Sequence, residues 1–482
     1  MDSPKSPTGA PLLPDRAPPY SAFTEGKKRL YLSIVTAAGF FGPLCGAVYL
    51  PSLNLYEDVF NASGTTINAT VSVYMAVFAV APLLGAALSD LGGRKTIYIT
   101  TLASFLLANI LLASLPANIT ALFILRIFQA FGACIVTSIG AGTITDIFEP
   151  ARRGTALAIF LLGPQLGPVL GPLIGGQFAT HTKWRWAFGF LALSCFPVYL
   201  AILFVLPETL RCLVGNGEVV SARPLFTMPQ LRQKCLVDQG KYPRPPKPSL
   251  RNWIALLIQP TQAIVFLNGA LSFAGLYLMY VSFPDVWGQR YGFSTAEVGY
   301  AYLSPGIALF IASLLTGRFS DWHRAKLRAQ TPNAKIKPET RLPIQIVGFV
   351  VSAAGKVLFG WFTQLELHPV SGLFAAALAG IGTAIIFVTS TSFQTECAPA
   401  QSATIVALAG LLRNIAAAIS AVLVDALVRG MGYGWCFTGL GILDGVCALG
   451  ILYIMWKGWR GGKGEMKGGE AGWFRINSWR SS

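Results

Sequence analysis

The sequence predicts an all-α integral membrane protein with twelve transmembrane helices in two six-helix halves and with both termini in the cytoplasm. Composition is the first reason, because 53% of the 482 residues are hydrophobic and only 12% are charged, about half the charged share of soluble domains. The second reason is that the apolar residues fall in runs of about 20, the length at which a helix crosses a bilayer. These runs do not alternate apolar and polar residues, as the strands of a membrane β-barrel would.

The apolar runs form two sets of six. The predicted helices cover residues 32–53, 66–89, 96–115, 119–147, 154–178 and 186–206 in the first set, and 261–284, 296–319, 342–363, 369–394, 402–427 and 434–456 in the second. A Pro-rich and basic stretch, 207–250, is predicted to be a cytoplasmic linker between the halves 32–206 and 251–456. The segments 1–31 and 457–482 are predicted to be cytoplasmic tails, the second of them basic.

The positions of the Lys and Arg residues set the orientation of the chain. Three of the 37 lie inside predicted helices, and most of the others lie in segments on one side of the membrane. The opposite loops hold only Lys183, Arg185, Arg290 and Arg429. Because positive residues concentrate on the cytoplasmic side, both termini are placed there. The same distribution accounts for the net charge of +16 without a nucleic-acid partner.

Three Asn-x-Ser/Thr sequences lie in or beside the first two outer loops and are candidate glycosylation sites. They are Asn61, Asn68 and Asn118. Their placement agrees with the predicted orientation and favours the plasma membrane over the vacuolar membrane. Asn68 lies close to the start of predicted helix 2, where the membrane limits access to its side chain.

The two halves share a pattern at the cytoplasmic end of their second helix. The matching segments are Ser89-Asp90 with Arg94-Lys95, and Ser320-Asp321 with Arg324-Ala325-Lys326. Repeated halves are how many secondary transporters are built, with the substrate site between the halves near the membrane midplane. The repeat therefore adds a functional expectation to the fold class.

Four stretches carry recognisable motifs: SDLGGRK at 89–95, RIFQAFG at 126–132, GPQLGPVLGP at 163–172 and LPETLR at 206–211. The first three resemble signatures of the major facilitator superfamily, in the loop between helices 2 and 3, in helix 4 and in helix 5 of the twelve-helix drug:proton antiporters of fungi. The fourth is similar to the end of helix 6 in the quinidine-resistance-like subgroup, which includes drug, polyamine and organic-acid exporters. Ala86 stands where the first signature usually has Gly.

The resemblance implies a gate at the cytoplasmic ends of the first helices. In this gate Arg94 bridges Asp90 and Asp146, and Lys95 belongs to the same loop. Such a cluster would hold the cytoplasmic side shut and would break when that side opens. Charged pairs on an exposed loop contribute little to stability, so a solvated loop is the alternative interpretation.

Glycine repeats every four residues along predicted helix 5 and forms one smooth face that another backbone can approach. The prolines between them remove backbone donors and bend the helix. We expect this face to form the contact between the two halves that opens and reseals during transport, with static packing as the alternative. The motif residues are Gly163, Pro164, Gly167, Pro168, Gly171 and Pro172.

Four charged residues lie inside predicted helices, where charges are costly and by default indicate function. Lys356 and Asp444 have similar depths on helices 9 and 12, which are peripheral in the family, so we expect a structural ion pair.

The other two charges, Arg126 and Arg413, lie on predicted helices 4 and 11. The resemblance implies proton coupling or gating for Arg126, with Gln129 one turn away. Arg413 and its neighbour Asn414 are candidates for substrate contact or for structure.

The sign of these charges favours an anionic substrate. Predicted helix 1 has no acidic residue, and the two arginines have no central carboxylate beside them. Unpaired positive charge at low dielectric attracts an anion. Together with the resemblance, this predicts a monomeric, proton-coupled antiporter that exports a small organic acid or related metabolite across the plasma membrane. Multidrug efflux is the alternative.

Two other classes find no support in the sequence. A pump driven by ATP needs a Gly-rich loop that ends in Lys-Ser/Thr, and the segments at 355–357 and 462–464 lack the Ser/Thr. A membrane enzyme would need paired carboxylates or a His/Asp cluster within the helices, but His181, His323 and His368 all fall in loops. Secondary transport remains, with lipid, protons and a small molecule as partners and with no cofactor or metal.

Overall fold

The computed structural model describes residues 20–217, 250–330, 338–397 and 402–465. All regular secondary structure within these ranges is helical. Most of the predicted tails (1–31 and 457–482) and of the predicted linker (207–250) lies outside the described residues.

The N-terminal half consists of six long helices joined by short connections. They are α1 (Glu25–Val48), α2 (Gly64–Gly92), α3 (Arg94–Ser114), α4 (Ile119–Ile147), α5 (Pro150–Phe178) and α6 (Trp184–Phe204). A 3-10 turn (Leu50–Ser52) and a short helix (Leu53–Phe60) lead from α1 towards α2, and a one-turn helix (Arg211–Val214) follows α6.

The C-terminal half repeats this arrangement. A short helix (Leu250–Ile258) precedes α7 (Pro260–Phe283), which continues as a π-helical turn (Pro284–Arg290), and a short helix (Thr295–Ala301) then leads into α8 (Leu303–Gln330). A 3-10 turn (Pro338–Arg341) is followed by α9 (Leu342–Gln364), α10 (Pro369–Cys397) and a final helical element (Ser402–Glu465).

The final helical element crosses the membrane twice. Its apolar part covers 54 residues, Thr404–Lys457, and would be about 80 Å long as one straight helix, against a hydrocarbon core of about 30 Å. Gly432 divides it, with φ 76° and ψ 167°, a conformation that glycine adopts because it has no Cβ. The two parts are α11 (402–431) and α12 (433–465). With the ten other membrane-length helices, they give the twelve that the sequence predicts.

The helix ends differ from the prediction where a helix continues beyond its apolar run. α1 begins at Glu25 rather than at residue 32, and α8 ends at Gln330 rather than at 319. Both extensions carry charged residues into the cytoplasm, where water accepts them, so a search for apolar runs misses them. The helix Leu250–Ile258 was also missed, because nine residues are too few to cross a bilayer.

The chain before α1 and the chain after α6 are fastened together under the N-terminal half. Arg211 stacks on Tyr20, with 3.6 Å between its guanidinium carbon and the ring centroid, and donates to the Tyr20 backbone oxygen. Its Nε donates to the backbone oxygen of Asp146 at 3.2 Å. The N–H of Ala22 donates to the backbone oxygen of Asn216 at 3.0 Å. We call residues 20–24 with 208–217 the cytoplasmic brace.

Hydrogen bonds join the two halves at their outer ends. On α2, Asn68 Nδ2 donates to both carboxylate oxygens of Asp425 on α11, each at 3.2 Å. Thr295, just before α8, donates to the backbone oxygen of Ala179 at the end of α5 at 2.7 Å. Thus, on the outer side, α2 meets α11, and the end of α5 meets the short helix (Thr295–Ala301) that leads into α8.

A continuous buried core crosses the same junction. It includes Tyr49 and Tyr56 from the N-terminal half with Phe283 and Trp287 from the C-terminal half. A second core cluster, built around Phe349 and neighbours near the cytoplasmic ends, contains only residues of the C-terminal half. The molecule is therefore closed on its outer side.

Candidate transport pathway and its gates

The turn after α2 gathers charged side chains into one cluster. Gly93 has φ 91°, so α3 starts at once with Arg94. The Nη1 atom of Arg94 lies 2.7 Å from Asp90 Oδ1, and its Nε lies 3.1 Å from Asp146 Oδ2 at the end of α4. Nη1 also donates to Ser89 Oγ at 2.5 Å. The buried Arg94 thus ties the cytoplasmic ends of α2, α3 and α4 together.

Glu208 belongs to this cluster, although the sequence analysis assigned it no role. Its Oε1 accepts from the backbone N–H of Arg94 at 2.8 Å, and its Oε2 accepts from that of Lys95 at 3.1 Å. The first N–H groups of a helix lack partners inside the helix and carry partial positive charge. Glu208 therefore caps α3, and Lys95 contributes its backbone to the cluster. The sequence did contain a signal for this cap, because Glu208 is an acidic residue just past α6, on the side of the membrane where α3 begins.

The C-terminal half contains a matching cluster. At the start of α9, Arg341 Nε donates to Glu396 Oε1 near the end of α10 at 3.0 Å, and Arg341 Nη1 donates to Ser320 Oγ at 2.8 Å. Arg324 on α8 also pairs with Glu396. A serine in the cytoplasmic part of the second helix, an arginine at the start of the third and an acid near the end of the fourth therefore recur in both halves. The repeat extends from sequence to geometry.

The glycine face of α5 packs on α1 inside the same half, so the prediction that it joins the two halves was wrong. A Cβ built on Gly163 would lie 2.3 Å from the backbone oxygen of Thr36, and one on Gly175 would lie 2.0 Å from that of Val48. These distances leave no room for a side chain, so the glycines permit backbone contact between α1 and α5. Gly167, Gly171 and Pro164 face α1 in the same way.

The contact between the halves uses the next face of α5. A Cβ on Gly176 would lie 2.8 Å from the backbone oxygen of Thr295, and one on Gly299 would lie 2.6 Å from that of Pro172. Of the predicted motif residues, Pro172 thus lies at the junction, whereas Pro168 is exposed. The sequence could not separate these faces, because small residues occur on both.

Arg126 is fully buried in the N-terminal half and has no acidic partner among the described residues. Its guanidinium carbon lies 4.1 Å from the ring centroid of Tyr49 and 4.4 Å from that of Tyr74. Nη1 donates to Gln129 Oε1 at 2.9 Å, and Gln129 Nε2 donates to Asn109 Oδ1 at 2.7 Å. Nε and Nη2 have no partner. The guanidinium is therefore held by two aromatic rings and one side-chain amide, and some of its N–H donors remain without a partner.

Lys356 and Asp444 form the ion pair that the sequence analysis expects. Lys356 Nζ lies 2.7 Å from Asp444 Oδ2, and each side chain is 1% exposed. Ser352 Oγ donates to the same carboxylate oxygen at 2.7 Å. Lys356 also donates to the backbone oxygen of Ser272 on α7 at 3.3 Å. The pair therefore links α9 and α12 to α7.

Arg413 lines a small, partly open pocket between α7, α10 and α11 with a volume of about 30 Å³. Its guanidinium carbon lies 4.6 Å from the ring centroid of Phe387 and 5.3 Å from that of Phe273. Arg413 makes no hydrogen bond or ion pair with any residue in the described ranges. Asn414, its neighbour, is buried and does not line the pocket. The pocket thus separates the two residues that the sequence analysis grouped.

Asn68 is not available for glycosylation in this structure, which corrects one of the three predicted sites. Its side chain is buried, and the amide nitrogen that would carry the glycan donates to Asp425. Asn61 and Asn118 are exposed. The side-chain oxygen of Asn118 caps α4 through the N–H groups at 120 and 121, which leaves its nitrogen free of that contact.

The structure consists of two repeated sets of six membrane-crossing helices. They are joined on the outer side and carry charged clusters on the cytoplasmic side, an arrangement that defines a secondary transporter. The chain belongs to the major facilitator superfamily, whose family model matches residues 32–421. Members of this family are transporters, so the chain is a transporter and not an enzyme.

The relatives confirm the predicted fungal subgroup. The chain is 38% identical over 462 residues to dityrosine transporter 1 of Saccharomyces cerevisiae, and the match covers 91% of this chain and 81% of the relative. It is 37% identical to the multidrug transporter DTR1 of Candida glabrata, with coverages of 92% and 87%. It is 26% identical to the MFS antiporter QDR2 of Candida albicans, with coverages of 92% and 91%.

Solved structures of distant transporters share the fold. A POT family transporter matches with a TM-score of 0.65 and 15% identity over 90% of this chain and 96% of its own. The xylose transporter XylE of E. coli matches with a TM-score of 0.62 and 14% identity over 90% of this chain and 98% of its own. At such identities the likeness concerns the fold alone.

Proposed function

We propose that this protein exports a small organic acid from the cytoplasm by alternating access, in exchange for protons. Arg413 is the observation that carries the proposal, because it lines a pocket within the membrane and has no acidic partner in the described part of the chain. An anion would supply the missing countercharge, whereas a cationic drug would be repelled. Arg126 adds a second unpaired cation in the other half.

The relatives fit a substrate with carboxyl groups and also keep a second candidate open. One relative is named a dityrosine transporter, and dityrosine carries two carboxyl groups, two amino groups and two phenol rings. Two others are named a multidrug transporter and an antiporter. Proton-coupled multidrug efflux is therefore the second candidate function.

The conformation suits loading of substrate from the cytoplasm. A molecule closed on its outer side corresponds to the inward-facing state of a transporter that rocks two halves about a central site. We assign the junction of Gly176 with Thr295 to the outer gate, and the clusters around Arg94 and Arg341 to the cytoplasmic gate. In this proposal the halves 32–206 and 251–456 move against each other within a monomer in the plasma membrane.

The test is efflux from cells that express the full chain. Cells are preloaded with labelled dityrosine, labelled succinate or the cationic dye rhodamine 6G, each with and without a proton uncoupler, and cells with an empty vector serve as control. Faster efflux of the acids, slowed by the uncoupler, is the expected result. Efflux of the dye alone would overturn the proposal in favour of multidrug transport.

A further inference from the structure

We propose, on the basis of the proposed export of organic acids, that the pocket between α7, α10 and α11 is the substrate site and that it selects aromatic carboxylic acids. In this assignment the carboxylate enters the small pocket and binds the guanidinium of Arg413, and the ring of the substrate packs at the open mouth of the pocket against Phe273 and Phe387. All residues that line the pocket belong to the C-terminal half.

Three buried polar atoms with unmet hydrogen bonds line this pocket. They are Ser272 Oγ, Thr383 Oγ1 and Gln394 Nε2, and the three side chains are at most 4% exposed. Buried polar groups in native proteins almost always have a partner. The pocket therefore brings together two hydroxyls, an amide donor and an unpaired cation. This set of groups fits a bound molecule with several oxygen atoms.

The rings beside Arg413 set both its position and the shape of the ligand. A guanidinium that stacks on aromatic faces is held by cation–π attraction and still presents its edge N–H groups. Those N–H groups match the two oxygens of a carboxylate. Phe387 is 40% exposed, so part of its face is open to a partner. An aromatic acid pairs with the charge of Arg413 and also covers the Phe387 ring, whereas an aliphatic acid only pairs with the charge.

The depth of the pocket suits a ligand that enters from the cytoplasm. Its α7 residues, 265–273, are the sixth to fourteenth of that helix, which places them about 8 to 20 Å from its cytoplasmic end. The outer side is closed, so this depth is approached from within the cell. Because one half supplies the whole lining, the substrate would travel with the C-terminal half as the transporter changes state.

Binding to the purified full-length protein tests the assignment. Isothermal titration calorimetry is run with N-acetyl-tyrosine, with N-acetyl-tyrosine amide, which lacks the carboxylate, and with succinate, which lacks the ring. Arg413→Gln is expected to weaken binding of N-acetyl-tyrosine by about tenfold or more and to leave the weak binding of the amide unchanged. Phe387→Leu is expected to weaken binding of N-acetyl-tyrosine but not of succinate. Arg185→Gln, on the outer surface, is the matched control.

Efflux assays on the same variants separate this assignment from the proposed function. Acid efflux by the wild type together with unchanged N-acetyl-tyrosine affinity in Arg413→Gln would overturn the pocket and leave the function standing. Absence of acid efflux in the wild type would overturn the function itself. If Arg413→Gln fails to fold, Thr383→Val takes its place, and it is expected to weaken binding of N-acetyl-tyrosine severalfold. Wild-type affinity in Thr383→Val would then overturn the pocket.

Discussion

Lys356 Nζ lies 2.7 Å from Asp444 Oδ2 in a setting where each side chain is 1% exposed. The same ammonium donates to the backbone oxygen of Ser272, a residue that lines the proposed substrate pocket. The ion pair therefore connects the peripheral helices α9 and α12 to the wall of that pocket. Removing either partner would leave a buried, uncompensated charge.

Asp444→Asn is expected to destabilise the protein by about 3 to 5 kcal/mol, because it leaves the Lys356 ammonium unpaired inside the membrane. The double variant Lys356→Met with Asp444→Leu should recover most of this loss, since it removes both charges. Thermal unfolding of the purified protein in detergent measures both effects. A double variant no more stable than Asp444→Asn would show that the pair does more than balance charge.

Asp90→Asn is expected to abolish transport while membrane insertion stays normal, because it weakens the cluster around Arg94. The matching cluster predicts the same result for Glu396→Gln, which removes the carboxylate shared by Arg341 and Arg324. Efflux rates and surface expression are measured in parallel, with the exposed Glu366→Gln as control. Normal efflux in both cluster variants would remove the gating assignment.

Gly175→Ala and Gly176→Ala are neighbouring changes with different expected effects. A Cβ on Gly175 meets the α1 backbone of its own half, so we expect lower thermal stability, with overpacking costing about 1 to 3 kcal/mol. A Cβ on Gly176 meets Thr295 of the other half, so we expect the outer junction to open instead.

Ser72 on α2 contacts the other half, because its Oγ donates to the backbone oxygen of Ala418 on α11 at 2.8 Å. Labelling of an engineered cysteine at this position, Ser72→Cys, by an impermeant maleimide measures that opening. Gly176→Ala should label faster than the parent and Gly175→Ala should not. Gly410→Ala is the control, because a Cβ there meets no atom within 4 Å. Equal labelling in all three variants would contradict the division of α5 into two faces.

Arg126→Ala is expected to abolish transport without loss of insertion, since it removes the buried cation between Tyr49 and Tyr74. Gln129→Leu should reduce transport less, because the two ring faces still hold the arginine. Efflux rates at equal surface expression provide the comparison. Wild-type rates in Arg126→Ala would show that this cation has only a packing role.

Glycosylation is expected at Asn61 and Asn118 but not at Asn68. The variants Asn61→Gln and Asn118→Gln should each migrate faster on a gel before glycosidase treatment, whereas Asn68→Gln should migrate as the wild type. A mobility change in Asn68→Gln would mean that Asn68 is glycosylated before its side chain forms the contact with Asp425.

Composition and apolar runs were enough to predict the number and order of the helices, because the bilayer imposes one length on every span. They could not predict the extensions at Glu25 and Gln330, since water tolerates a charged helix and leaves no apolar signal. The turn at Gly432 was recognised only as a gap between two apolar runs, and the structure shows that one glycine makes it.

The candidate site was predicted less completely, because sequence motifs do not state which neighbours a side chain meets. The bridge from Arg94 to Asp90 and Asp146 followed from the resemblance to a known signature. Glu208 lies in the LPETLR motif, but the motif does not state what its side chain contacts, and its capping contact depends on how α6 and α3 meet. The glycine face of α5 was recognised, but its partner depends on which helix packs there, and periodicity does not encode that.

The cytoplasmic brace makes the N-terminal half a self-contained unit of chain. Arg211 and the backbone bond between Ala22 and Asn216 fasten the N-terminal half to its own first residues, so that half is complete by Gly217. The next described segment starts at Leu250 and packs within the C-terminal half. Two separate polypeptides divided between these points would therefore retain the described contacts inside each half, and the described contacts that could rejoin them include those of the outer junction. Such a split transporter would report, through its association constant, how strongly the two halves hold together when the outer side is closed.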